Sequence, residues 1–166
     1  MTEYKVAIIM GSPNDRPKME PAAETLAGFG VETAVHVMSA HRTPAKVAEF
    51  VSGARANGFA AIIAGAGMAA HLAGAAAAHT TLPVVGVPLS GGALNGVDAL
   101  YATVQMPKGI PVATFAIGQA GAANAALFAV ALLANEDPAL RARLDAFRAE
   151  QTAAARAMTL PPVAAA

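Results

Sequence analysis

The chemistry in this chain is concentrated in three short segments. Ser39-Ala40-His41-Arg42-Thr43-Pro44 sets a group able to transfer protons near neutral pH beside a permanently charged fork suited to phosphate. The competing reading is a solvated loop whose Thr43 caps a helix opened by Pro44, and an isolated His-Arg pair does not decide between them. Gly11-Ser12-Pro13-Asn14-Asp15 is rich in turn formers and hydrogen-bond donors, as a phosphate cradle at a helix start needs, although Ser, Asn and Asp are also ordinary caps. Gly65-Ala66-Gly67-Met68-Ala69-Ala70-His71-Leu72 carries two glycines that let a ligand approach the backbone, and a second histidine expected one turn into a helix. Converging loops of this kind make a proton-transfer site that requires no metal, and no His-x-x-x-His or His-Glu pair at ligand spacing occurs. His36 and His79 fall within a strand and near a helix end, and are read as structural. Neither the dinucleotide glycine fingerprint nor the Lys-containing phosphate loop is present, so neither NAD nor ATP is expected.

The elements that must position these segments follow from hydrophobic spacing. Val6 to Met10 is a continuous apolar run ended by Gly11, which suits a strand covered on both faces. Met19, Ala22, Leu26 and Phe29 recur at helical spacing before Gly30. The alternation then repeats. Strands are expected over 31–38, 60–64, 84–87 and 112–116, and helices after Pro44, over 69–78, 96–104 and 121–134, and from Asp137-Pro138 onward. In the helix after Pro44, Val47, Phe50, Val51 and Ala54 form the inner face, with Gly58 past its end. Strands alternating with helices imply right-handed βαβ units, hence one α/β domain with a central parallel sheet between helical layers. Ligands bind such a sheet beyond the carboxyl ends of the strands, where all three segments fall, and this placement favours the functional reading of His41 and Arg42. The expected domain spans 1–157, with a disordered tail over 158–166.

Composition bounds the class. A chain of 166 residues is the size of one domain. Hydrophobic residues make up 55% and charged residues 13%, with a mean hydropathy of +0.48, which excludes disorder. Eleven basic residues balance eleven acidic ones, which argues against sequence-blind nucleic-acid binding. Cysteine is absent, so disulfide scaffolds, thiolate metal sites and cysteine nucleophiles are excluded together. The uncharged stretch 111–134 is long enough to cross a bilayer, but Gln119, Gly121 and Asn124 break it into strand, turn and helix, so no membrane association is expected. The start of the chain lacks the layout of a signal peptide, consistent with a cytoplasmic protein. So few charges would poorly cover a lone sphere, which points to a homo-oligomer with tight, alanine-lined interfaces.

Six ordered blocks carry a resemblance: Gly11-Ser12-x-x-Asp15; Ser39 to Pro44; Ala64-Gly65-Ala66-Gly67-x-Ala69-Ala70-His71-Leu72; Gly96-Val97-Asp98; Val104-Gln105-Met106-Pro107-x-Gly109-Ile110-Pro111-Val112; and Ala116-Ile117-Gly118-x-Ala120-Gly121-Ala122-Ala123-Asn124-Ala125-Ala126. In one register over roughly residues 5 to 151, they resemble the N5-carboxyaminoimidazole ribonucleotide mutase family of bacterial purine biosynthesis. The resemblance implies a flavodoxin-like three-layer domain, a homo-octamer, a small-molecule ribonucleotide substrate and no cofactor. It implies carboxylate transfer from the exocyclic nitrogen to ring carbon C4 through released CO2, with His41 as the acid/base. By the same match Ser12 and Arg42 hold the phosphate, assisted by Asn14, and Asp15 holds the ribose hydroxyls. His71, with Gly67, Met68, Ala70 and Leu72, lies beside the base, and Ser39 and Ala40 complete the substrate site. Arg beside the histidine resembles the mutase branch, whereas the branch using free CO2 tends to carry Lys there.

The chain departs from the family pattern at Asn14, Met68, Ala73, Ala99 and Ala113, where Ser, Gly, Pro, Ser and Gly are common, and in the looser loop 90–95. Met68 matters most, because a long thioether replaces a hydrogen beside His71. Two other readings therefore compete with the mutase: a paralogue acting on another heteroaromatic ribonucleotide, and a non-catalytic nucleotide-binding subunit. An intact His41 argues against the second, since a pure binder needs no proton carrier.

Overall fold

The computed structural model describes residues 5–160. Five parallel strands, β1 (Lys5–Met10), β2 (Glu32–Val37), β3 (Phe59–Gly67), β4 (Val84–Leu89) and β5 (Ala113–Thr114), form one sheet in the order β2-β1-β3-β4-β5. Helices α1 (Arg16–Gly28), α2 (Pro44–Gly53), α3 (Leu72–Ala77), α4 (Val97–Val104), α5 (Gln119–Leu133) and α6 (Pro138–Arg156) link and cover it. This is the flavodoxin-like order, a single three-layer domain as expected. The last six residues of the expected tail, 161–166, lie outside the described residues.

The continuous apolar run of β1 is explained by burial on both faces. Val6, Ile8 and Met10 point into one layer with Leu26 of α1 and the alanines of α5, while Ala7 and Ile9 point into the other with Val47 and Val51 of α2. Phe50 of the expected inner face of α2 is only partly buried, packing against that second layer and against the His36 ring at 4.7 Å between centroids. In α5, Ala122, Ala125, Ala126 and Ala129 are completely buried, so small side chains let the helix lie close to its neighbours. A Cβ on Gly121 would fall 1.6 Å from the Ala116 carbonyl oxygen, so only glycine permits α5 to start so near the strand before it.

Several boundaries differ from the sequence reading, each for a tertiary reason. β3 runs on to Gly67 because Gly65, Ala66 and Gly67 pair with Val87, Pro88 and Leu89 of β4. The space at Gly65 serves packing and not a ligand, since a Cβ there would meet the Met19 sulfur at 2.4 Å. α3 is shorter than expected and His71 is its N-cap residue, not one turn inside it. Met68 is in the left-handed region at φ 53°, and the amides of Ala70 and His71 bond two residues back to Met68 and Ala69, so the helix cannot begin earlier. β5 is reduced to two residues. The carbonyls of Gly86 and Pro88 face β5, accepting from Phe115 and Gly118, so the amide that Pro88 lacks would also face β5 and the ladder stops there.

Candidate active site

The carboxyl ends of β1, β2, β3 and β4 surround a cleft of about 540 Å³ at the point where the strand order reverses. After β1, Gly11 leads into a 3-10 turn at Pro13–Asp15, and Ser12 caps it by accepting the Asn14 amide at 3.2 Å. The capping and cradle readings of this segment thus coexist, because Ser12, Asn14 and Asp15 all line the cleft.

After β2, the loop closes on itself. The Thr43 hydroxyl accepts the Ser39 amide at 2.9 Å and donates to the Ser39 carbonyl at 3.1 Å, while the Thr43 amide donates to the same carbonyl at 2.9 Å. Thr43 occupies the N-cap position of α2 but makes no side-chain bond to it, so its expected capping role is replaced by loop closure. The Ser39 hydroxyl accepts the Arg42 amide at 3.2 Å and its Nε at 3.4 Å, and Arg42 Nη2 donates to the Gly11 carbonyl at 2.9 Å. Arg42 therefore bridges the β1 and β2 loops with its guanidinium already oriented.

The ring of His41, raised on this closed loop, meets His71 at the start of α3. His41 Nε2 lies 2.7 Å from His71 Nδ1, with the rings edge to face. A hydrogen bond between two ring nitrogens requires one to carry the proton and the other to be bare. The pair thus shares one proton at the cleft, and both rings are exposed, so solvent or a ligand can reach them. The strand order β2-β1-β3 brings these residues, 30 positions apart, together.

Asp15 is the acid of the cleft. Burial pushes its carboxyl above the usual value of 3.8, opposed by the Lys18 charge, the Ser12 backbone amide and the Arg42 guanidinium. Of the residues picked out from sequence, Ser12, Asn14, Asp15, Ser39, Ala40, His41, Arg42, Gly67, Met68, His71 and Leu72 line the cleft. Ala70 does not: it is buried beneath the loop, with 1% exposure. Its methyl group packs into the protein interior.

Sequence reasoning missed Lys18, Ser90 and Gly91, which also line the cleft. Lys18 stands one turn beyond Asp15 on α1 and its ammonium donates to the Ser90 carbonyl. The i to i+3 spacing from Asp15 was the available signal for Lys18; Ser90 and Gly91 stand in the loop 90–95 that departs from the family pattern, but nothing local gave them a place at the cleft. Met68 is 59% exposed at the cleft rim, with Cγ and Sδ 3.5 Å from where a Gly92 Cβ would be. Its side chain therefore leans on the β4–α4 loop.

The chain matches the family described as AIR carboxylase over residues 5–154. It is 58% identical over 148 residues to the N5-carboxyaminoimidazole ribonucleotide mutase of Vibrio vulnificus, covering 89% of this chain and 92% of the relative. The protein of that name from Escherichia coli is 55% identical over 148 residues, covering 89% of this chain and 88% of the relative. Among solved structures, Treponema denticola PurE superposes with a TM-score of 0.82 at 26% identity, covering 90% of this chain and 92% of that chain.

Proposed function

The chain belongs to the AIR carboxylase family, and on that footing we infer that it is an enzyme, an isomerase that converts N5-carboxyaminoimidazole ribonucleotide to its C4-carboxylated isomer in purine biosynthesis. The readings as a paralogue or a non-catalytic subunit are not favoured by relatives more than half identical over most of the chain.

We assign the chemistry to the cleft at the strand carboxyl ends. Transfer through released CO2 leaves aminoimidazole ribonucleotide after the N–C bond breaks, and the exocyclic nitrogen then takes up a proton. Carbon C4 attacks the CO2, and the C4 proton must leave to restore the aromatic ring. One proton enters and one leaves, so a single acid/base suffices, and His41 fills this role. The observation that carries this assignment is the His41–His71 hydrogen bond of 2.7 Å in a cleft that also holds Arg42. His71 holds the His41 ring in place and accepts or returns the shared proton. Arg42 and Ser12 take the phosphate, with Asn14 beside them. Asp15 takes the ribose hydroxyls; Ser39, Ala40, Gly67, Met68 and Leu72 shape the remaining wall. Gly and Ala around these loops let CO2 be held closely, so that effective concentration replaces diffusion.

We further propose that the enzyme works in the cytoplasm as an octamer. Among the described residues no helix is long and apolar enough to cross a membrane. Val97, Tyr101 and Val104, spaced along one side of α4, and Leu94 in the loop before it are 46–63% exposed, and the Asp98 Oδ1 on the same helix is buried without a partner among the described residues. A second copy covering α4 would remove both anomalies. The functional assignment is tested by incubating the purified protein with N5-carboxyaminoimidazole ribonucleotide and following the C4-carboxylated isomer. Nucleotide binding without isomer formation would overturn it.

A further inference from the structure

The β4–α4 loop, residues 90–96, forms one side of the cleft and has little packing of its own. Residues 92–95 are exposed. Gly92, Asn95 and Gly96 all have positive φ, at 62°, 50° and 95°, and among the described residues Asn95 and Met68 are the non-glycine residues in the left-handed region. At Asn95, which has a side chain, such backbone persists only where surrounding contacts hold it. The two ends of the loop are pinned together, since a Cβ on Gly96 would fall 3.1 Å from the Ser90 Cα.

Two side chains from other elements hold the body of the loop. Lys18 reaches from the first turns of α1 and donates its ammonium proton to the carbonyl of Ser90 across 72 positions of sequence. Met68, just past the end of β3, lays its thioether against Gly92. Ser90 and Gly91 themselves line the cleft, so the position of this wall depends on both supports. A charge-assisted bond to a carbonyl is stronger than a neutral one, which makes Lys18 the firmer support.

We propose that Lys18 is a positioning residue, which by binding the Ser90 carbonyl holds the β4–α4 loop as the wall that retains CO2 between its release and its recapture. The proposal rests on the mutase reading. An uncharged, freely diffusing CO2 offers few polar handles, so retention depends on closing the gap and not on gripping the molecule. Lys18 acts on the reaction through the loop and touches neither the base nor the reacting carbon.

The test compares the full-length protein with Lys18→Met, which keeps an unbranched side chain one atom shorter and removes the charge and the donor, and with Lys18→Arg, which restores a donor. Each is given N5-carboxyaminoimidazole ribonucleotide under a CO2-free gas stream, and the ratio of free aminoimidazole ribonucleotide to C4-carboxylated product is measured. In Lys18→Met this ratio is expected to rise about tenfold, the effect of one charge-assisted hydrogen bond, with KM changed no more than about threefold. Lys18→Arg should recover most of the product yield. Amide exchange of Gly91, Gly92 and Ala93 should speed up in Lys18→Met while the β1 amides keep their protection, which separates loop release from unfolding.

An unchanged product ratio in Lys18→Met would overturn the proposal. So would a large rise in KM with the ratio intact, because Lys18 would then bind the nucleotide directly. If the unsubstituted protein releases aminoimidazole ribonucleotide but makes no C4-carboxylated product, the mutase reading fails, and the proposal falls with it.

Discussion

Replacing His41 with Asn perturbs one side of a single hydrogen bond and leaves the rest of the cleft standing. The Asn amide is too short to reach the position of Nε2, so the 2.7 Å contact with His71 Nδ1 is lost together with the group that changes protonation. Loss of a positioned acid/base typically costs about 10²- to 10⁴-fold in rate, or about 3 to 5 kcal/mol in the barrier. The expected fall in kcat lies in that range. Stability should change little, because both rings are exposed. A hydrogen bond between exposed groups contributes about 1 kcal/mol at most, which for a domain of this size shifts Tm by about 2 to 4 °C. Phosphate binding should survive as well. Arg42 is held by the Gly11 carbonyl at 2.9 Å and by the Ser39 hydroxyl, and neither bond involves the His41 ring. The Kd for the C4-carboxylated nucleotide should therefore stay within about tenfold. Initial rates of isomer formation, calorimetric titration with that nucleotide and a thermal melt check the three parts. Turnover above about a tenth of the unsubstituted rate would refute the assignment of His41 as the proton carrier.

Asp15 has a folded-state carboxyl raised above 3.8, so its contribution to stability is fully present below the unfolded value and is lost as pH rises through the folded one. At pH 7 the ionised group opposes folding, and Asp15→Asn should raise Tm there while weakening nucleotide binding; a lower Tm at pH 7 would contradict the burial argument. Met68→Gly removes a left-handed strain of about 1 kcal/mol at a residue with 59% exposure, and adds about 0.5 to 1 kcal/mol of glycine backbone entropy, so Tm should hold within a few degrees. In the same variant kcat/KM should change only a few-fold, because the thioether leans on Gly92; a gain of about thirty-fold would mean that Met68 obstructs the base, as an overpacked side chain does. Light scattering of the purified protein should give a mass well above a dimer at micromolar concentration, and the monomer mass would refute the assembly.

The order of elements and the loops that carry chemistry were legible in the sequence because both depend on local pattern. β1 reads as a strand buried on both faces from Val6 to Met10 alone, and alternating strands and helices force parallel βαβ units. The parallel sheet in turn sends His41, His71, Ser12 and Asp15 to one edge. The closure of Ser39 onto Thr43, the placing of Arg42 against Gly11 and the pairing of His41 with His71 were not legible, nor were Lys18 and Ser90 as partners. Ala70 was expected beside the base from the family resemblance, yet the turn after Met68 buries it. The shortened β5 likewise depends on which way the Pro88 carbonyl faces within the sheet. Each of these outcomes requires residues distant in sequence to be brought within a few ångströms, and that proximity is created only when burial of both sheet faces selects one strand order. Periodicity can specify which face of an element is apolar, but only packing of the assembled layers determines what that face meets.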